Sequence, residues 1–191
     1  MKRGILCAAL AGAMCLMLGA QAAPTVGLRV EKPKMTITKP DAAKPQNDYG
    51  PSQETKTTTF EFTGKVSCTP PKDQTFTVTL EAYFITCAIG AKGARDELGE
   101  RKEVGQFTFG GGAPNSQEFK FSSPQIVETT TVTRSGAGRF ARVIDKTRTG
   151  TRHKGVIIRA LDSDKKVLKV VTEPSNMVWQ KAAKKDVVSL D

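Results

Sequence analysis

Most of this 191-residue chain predicts an all-β fold, an antiparallel β-sandwich. Three observations predict it. Apolar and polar residues alternate with a period of two in successive runs rich in Thr, Val and Phe. Gly, Pro, Asp and Asn punctuate those runs at short spacing. No segment beyond the N-terminus holds the period of an amphipathic helix. The length suits one domain with a tail, large enough to bury a core.

Residues 1–22 read as a secretory signal peptide. Lys2 and Arg3 give the positive n-region, Gly4 to Gly19 the apolar run, and Ala20-Gln21-Ala22 the small residues of a cleavage site. The run is short for a membrane span, and no charged stop-transfer flank follows it. Cleavage removes Lys2 and Arg3, taking the basic count from 29 to 27 against 19 acidic residues, so the net charge falls from +10 to +8. It also removes Cys7 and Cys15, leaving Cys68 and Cys87 in an oxidising compartment. The expected location is periplasmic, cell-surface or extracellular, with no transmembrane segment in the mature chain.

Residues 23–56 read as an N-terminal strand followed by a Pro-rich linker. Val26 to Thr38 is a weak strand region interrupted by Pro33, and Lys39 to Thr55 is rich in Pro, Asp, Asn and Gln without periodicity. Residues 57–180 form the sandwich. Thr57 to Cys68 alternates, with Phe60 and Phe62 on one face. A Pro70–Asp73 turn leads to Gln74–Ile89, a long strand. It places Phe76, Val78, Leu80, Ala82 and Phe84 on one face, and Tyr83, Ile85 and Cys87 on the other, so both sides of its far half are expected to be covered. Gly90 to Glu103 reads as a charged loop. Gln106–Phe109, Glu118–Phe121 and Gln125–Arg134 are further strands, the first ended by Gly110-Gly111-Gly112. Lys154–Leu161 and Lys165–Thr172 form a hairpin on an Asp162-Ser163-Asp164 turn. Met177–Gln180 reads as a short last strand around Trp179, and residues 181–191 as a tail. Some eight short strands are satisfied by two packed sheets of immunoglobulin-like or fibronectin-III-like type, with a closed barrel as the alternative.

Three segments carry a resemblance: Val78-Thr79-Leu80-Glu81-Ala82-Tyr83-Phe84-Ile85, then Lys154-Gly155-Val156-Ile157-Ile158-Arg159, then Asp164-Lys165-Lys166-Val167-Leu168 leading to Glu173-Pro174-Ser175. Over roughly residues 57–180 the chain resembles a loose group of small secreted bacterial β-sandwich proteins. The resemblance implies fold and export, and no activity.

The cysteines and charges narrow the chemistry. Cys68 and Cys87 are a candidate disulfide. In a regular hairpin, however, Cys87 would lie ~40 Å along the partner strand at ~3.3 Å per residue, whereas a bridge needs Cα atoms within ~7 Å. A bridge then requires a sharp bend or a different pairing; two thiols or an intermolecular bond are the alternatives. The single histidine, His153, makes a histidine-based metal site improbable. It reads as a solvated loop residue whose pKa neighbouring cations lower. Asp162-Ser163-Asp164 lacks the further oxygen ligands of a calcium loop. Asp96, Glu97, Glu100 and Glu103 crowd one segment and are not held across a cleft as a glycosidase pair would be. Gly110-Gly111-Gly112 lacks the context of a phosphate loop. No cofactor and no enzymatic activity are expected.

Positive charge is concentrated in residues 134–159. Arg134, Arg139, Arg142, Lys146, Arg148, Arg152, Lys154 and Arg159 stand against Asp145 alone, a net of +7. Such a segment attracts polyanions through counterion release. The expected role is a non-catalytic binding, adhesion or structural module of the cell envelope. Its polyanion site would comprise Arg139, Arg142, Arg148, Arg152, His153 and Lys154 in a loop from Gly136 to Lys154. Candidate partners are an acidic or sulfated glycan, lipopolysaccharide phosphates or an envelope protein; nucleic acid is not the expected natural ligand. One alternative is a hydrolase, or the accessory domain of a glycan-active enzyme, although few aromatics exist to line its groove. Another is an assembly module that uses strand addition, for example through a displaced Val26–Thr38 segment.

Overall fold

The computed structural model describes residues 24–39, 51–70, 72–136 and 142–175. These form nine antiparallel strands, and none of the described residues is helical. The strands are β1 (Thr25–Val30), β2 (Lys34–Thr38), β3 (Ser52–Thr69), β4 (Phe76–Ile89), β5 (Asp96–Phe109), β6 (Ser116–Ser122), β7 (Ile126–Ser135), β8 (Arg142–Leu161) and β9 (Val167–Glu173). They make one continuous sheet in the order β1-β3-β7-β8-β4-β5, with β2 and β6 also on β3 and β9 also on β8. The sheet curls into a half-barrel. The all-β antiparallel class holds, while the hydrogen bonding is continuous where the sequence predicts two sheets.

The continuity comes from two strands that are long enough to change neighbours. The first part of β3 pairs with β7 from Ser52↔Val132 to Thr58↔Ile126, and its second part pairs with β6 from Glu61↔Ser122 to Ser67↔Ser116. On the other side of β3, β2 gives way to β1. The first part of β8 pairs with β7, and its second part lies between β4 and β9. Thus β7 joins the two walls at one end, and beyond it they diverge around the core.

That core follows the period-two pattern. Phe62, Val66, Phe119 and Phe121 from one wall meet Val78, Leu80, Ala82, Phe84, Val156, Ile158 and Ala160 from the other. The Phe62 ring stacks on Phe121 at 5.2 Å and lies 6.0 Å from Phe84, within the range in which aromatic pairs add to area burial. A smaller cluster, Ile85 and Ile157 with Tyr83, Leu98 and Val170, covers the opposite face of β4. The far half of β4 is therefore covered on both sides, as its sequence predicts.

Three segments differ from the sequence expectation. Asp96–Phe109 is a strand where a charged loop is predicted up to Glu103. Its alternation is masked by charge, yet Leu98 opposite Ile85 reaches the smaller cluster and Arg101 opposite Tyr83 reaches Glu81. β3 begins at Ser52, inside the predicted linker, because β7 supplies a matching run of β-branched residues. The third is Arg142–Lys154, which is the first half of β8 and not a loop. The β8–β9 turn forms as predicted: Asp162 Oδ1 accepts from the backbone N–H of Asp164 (2.9 Å) and Lys166 (2.8 Å). Residues 1–22, most of the linker, Trp179 and the tail lie outside the described residues. No helix among the described residues is long and apolar enough to cross a membrane.

Candidate functional site

The first half of β8 is a strand, not the loop that its charge density predicts. Its basic residues alternate with Thr and Val, and β7 offers β-branched partners in register: Thr131 opposite Thr147 and Thr129 opposite Thr149. Such cross-strand pairs stabilise a solvent-facing sheet. Thr55 of β3 extends the second row, its Oγ1 lying 3.5 Å from that of Thr129. The result is a three-stranded arm built from β3, β7 and β8. Every residue from Arg142 to Arg152 is exposed.

This placement fixes the cations relative to one another. Lys146 lies opposite Val132 and Arg148 opposite Thr130, so the two share a face about 7 Å apart. Arg142 begins the strand opposite Ser135. Arg152 lies opposite Cys87, and Lys154 is the extra residue of a bulge between the Thr86↔His153 and Ile85↔Gly155 pairs. Arg148 Nε is 3.4 Å from Glu128 Oε1, a pair whose cation is exposed and whose carboxylate is half-buried. Arg142, Lys146, Arg152 and Lys154 make no ion pair among the described residues. Arg139 lies outside the described residues.

His153 departs from the expected set. It is half-buried, and its ring stacks on Phe60 at 4.3 Å and lies 6.0 Å from Phe62. It lines a cleft of about 190 Å³ with Met35, Ile126, Lys56, Glu128 and Arg152. Its Nδ1 is buried without a hydrogen-bond partner. Loss of water around the ring lowers its pKa from 6.5 to about 4. The bulge at Lys154 turns the ring toward the Phe60 side of the sheet. His153 is therefore a half-buried residue packed on Phe60, not the fully solvated loop residue that its basic surroundings predict.

Both described cysteines are free thiols. Cys68 is buried on β3 opposite Val26, and burial raises its pKa, which keeps the thiol protonated and inert. Cys87 lies near the far end of β4, opposite Asp96 and Arg152.

Sequence reading missed the most organised polar group. Glu81 is only 5% exposed. Its Oε2 accepts from Arg159 Nε at 2.8 Å and from the Tyr83 hydroxyl at 3.3 Å, and its Oε1 accepts from Arg101 at 3.0 Å. The Arg159 guanidinium also lies 4.9 Å from the Tyr83 ring centroid. Burial raises the Tyr83 pKa, with Arg159 opposing and Glu81 adding. The signal was present: a period of two puts Glu81 on the face of Tyr83 and Ile85, the covered side of β4. Arg159 thus belongs to a buried ion cluster and not to the basic surface. Of the loop carboxylates, Asp96, Glu97 and Glu103 are strung along β5 opposite Cys87, Thr86 and Glu81. Among the described residues, no three His, Cys, Asp or Glu side chains are grouped so as to hold a metal ion.

Comparisons with protein-family models, with curated proteins and with solved structures each found no match to this chain.

Proposed function

We propose that the protein is an exported, non-catalytic binding module of the cell envelope whose β3–β7–β8 arm engages an extended polyanion. The walls of the half-barrel oppose one another as the sheets of an immunoglobulin-like or fibronectin-III-like sandwich do, and they serve as a scaffold. The single observation that carries the reading is the exposed half of β8. There Arg142, Lys146, Arg152 and Lys154, with Arg148 beside them, stand on a strand without competing carboxylates save Asp145 and Glu128. Exposed cations of this kind suit charge-assisted contacts to the sulfates of a glycan or the phosphates of lipopolysaccharide.

The test is retention on immobilised heparin in a salt gradient. The native protein is expected to elute late, with a strongly salt-dependent affinity. Arg148→Ser/Arg152→Ser/Lys154→Ser is expected to collapse that retention. The triple variant Lys181→Ser/Lys184→Ser/Lys185→Ser removes the same charge elsewhere and is expected to retain it. Equal loss in both variants would reduce the effect to diffuse charge and overturn the reading.

A further inference from the structure

The arm has an open edge with a cavity at its inner end. From Gly150 onward β8 has β4 beside it, from Ile89↔Gly150 to Thr79↔Leu161, and β9 flanks its other side from Val156. From Arg142 to Thr149 it has only β7, and no described strand lies on the side that β4 occupies further along. The lane of the sheet that contains β4 therefore stops at Ile89, while β8 runs on. At that step Ile89, Gly90, Lys146, Thr147 and Arg148 line an open cavity of about 600 Å³. Beyond it Val143 is 57% and Ile144 64% exposed.

We propose that this edge accepts an acidic β-strand from a partner protein, added antiparallel to β8 as a continuation of the β4 lane. Strand addition takes its affinity from main-chain hydrogen bonds and its selectivity from pockets for alternate side chains. Both parts are present: a run of backbone N–H and C=O groups that no described strand pairs, and a cavity flanked by Lys146 and Arg148. The same cations argue against a second copy of this chain. Pairing two β8 edges would bring Arg142, Lys146 and Arg148 against their own kind, and like charges placed opposite one another are destabilising. Charged residues and a bulge are devices that keep an edge from pairing indiscriminately, and β8 carries both, its bulge lying between the Thr133↔Asp145 and Arg134↔Val143 pairs. An acidic strand is the partner that these charges attract. The proposal rests on the arm being a binding surface, and it adds a protein ligand held by backbone pairing to a glycan held by charge.

The probe is a fluorescein-labelled decapeptide that alternates Val or Thr with Glu. Anisotropy is read against the purified protein, and amide hydrogen exchange is read in β8. Two N-methylated versions, blocked on odd or on even amides, keep the charge and lose one side of the ladder. The expected result is saturable binding, weakened at least tenfold by one of the two N-methylation patterns, with slowed exchange between Val143 and Thr147. Lys146→Glu is expected to lower affinity for the Glu peptide and raise it for a Lys-for-Glu peptide. Equal binding of all three Glu peptides would overturn strand addition and leave the charge-based reading intact. Heparin retention without peptide binding would do the same, and loss of both would remove the two readings together. A concentration-dependent dimer whose interface protects the same amides without peptide would overturn the acidic partner in favour of a second copy.

Discussion

His153 is the residue whose protonation the fold opposes most clearly. Its ring lies against Phe60, and its pKa falls from 6.5 to about 4 through loss of water. The folded-state value is below the unfolded one, so between these two pH values the unfolded chain takes up a proton that the folded chain resists. Stability from this group is whole above pH 6.5, declines as pH falls toward 4, and loses nothing more below that. The ring is still reached by solvent, so the loss is expected to be on the order of 1–2 kcal/mol and not the full linkage value. Urea unfolding at pH 7 and pH 4 of the native protein and His153→Phe checks this, since carboxylate contributions cancel in the difference. With one histidine in the chain, its imidazole proton titration is also directly visible; a midpoint near 6.5 would refute the burial argument. None of this was legible locally. The sequence around His153 is basic and polar, and the residue that buries it, Phe60, is more than ninety positions away. Glu81 was nearer to legible, because its face follows from the period, but its partner Arg159 does not.

At the scale of elements, the arm depends on one glycine. Gly150 has φ +115°, and a Cβ there would fall on the Val127 carbonyl oxygen. It is also the point at which β8 passes from pairing with β7 alone to pairing with β4. Gly150→Val is expected to cost more than about 1 kcal/mol, because the new residue meets both a disfavoured φ and a backbone atom. Hydrogen exchange should quicken in Glu128–Arg134 and Arg142–Thr149 and stay slow in Val156–Ala160, whose side chains are in the core save the half-buried Arg159. Uniform loss of protection would show that arm and core are one cooperative unit. The strands at the core were read from sequence because burial imposes alternation on them. The arm and β5 were not, because both faces of the one are wet and charge interrupts the alternation of the other, so the period carries no apolar signal.

For the whole molecule, alternation and turn residues determine the class and the direction of the strands but not how many sheets they make. Continuity depends on β3 and β8 each changing neighbours midway, and that depends on registers between segments distant in the chain: Ser52 with Val132, Thr79 with Leu161. The basic segment is legible in its charge but not in its form. As a strand it holds Lys146 and Arg148 on one face, and it leaves beside them an edge that no described strand pairs.

Those distant registers bear on time as well as shape. The β4–β5, β7–β8 and β8–β9 pairs are hairpins that close locally, but β3 has no β7 neighbour until residue 126 and beyond has been made, and β4 has no β8 neighbour until after residue 150. Folding dominated by such separations runs on the order of milliseconds to seconds. Stopped-flow refolding should show its main phase there, and a full-amplitude microsecond phase would refute it. Hairpins can form as the chain is made, but the two walls cannot close on one another until most of it exists. Late closure leaves the chain open to threading through a membrane pore, which the proposed export requires.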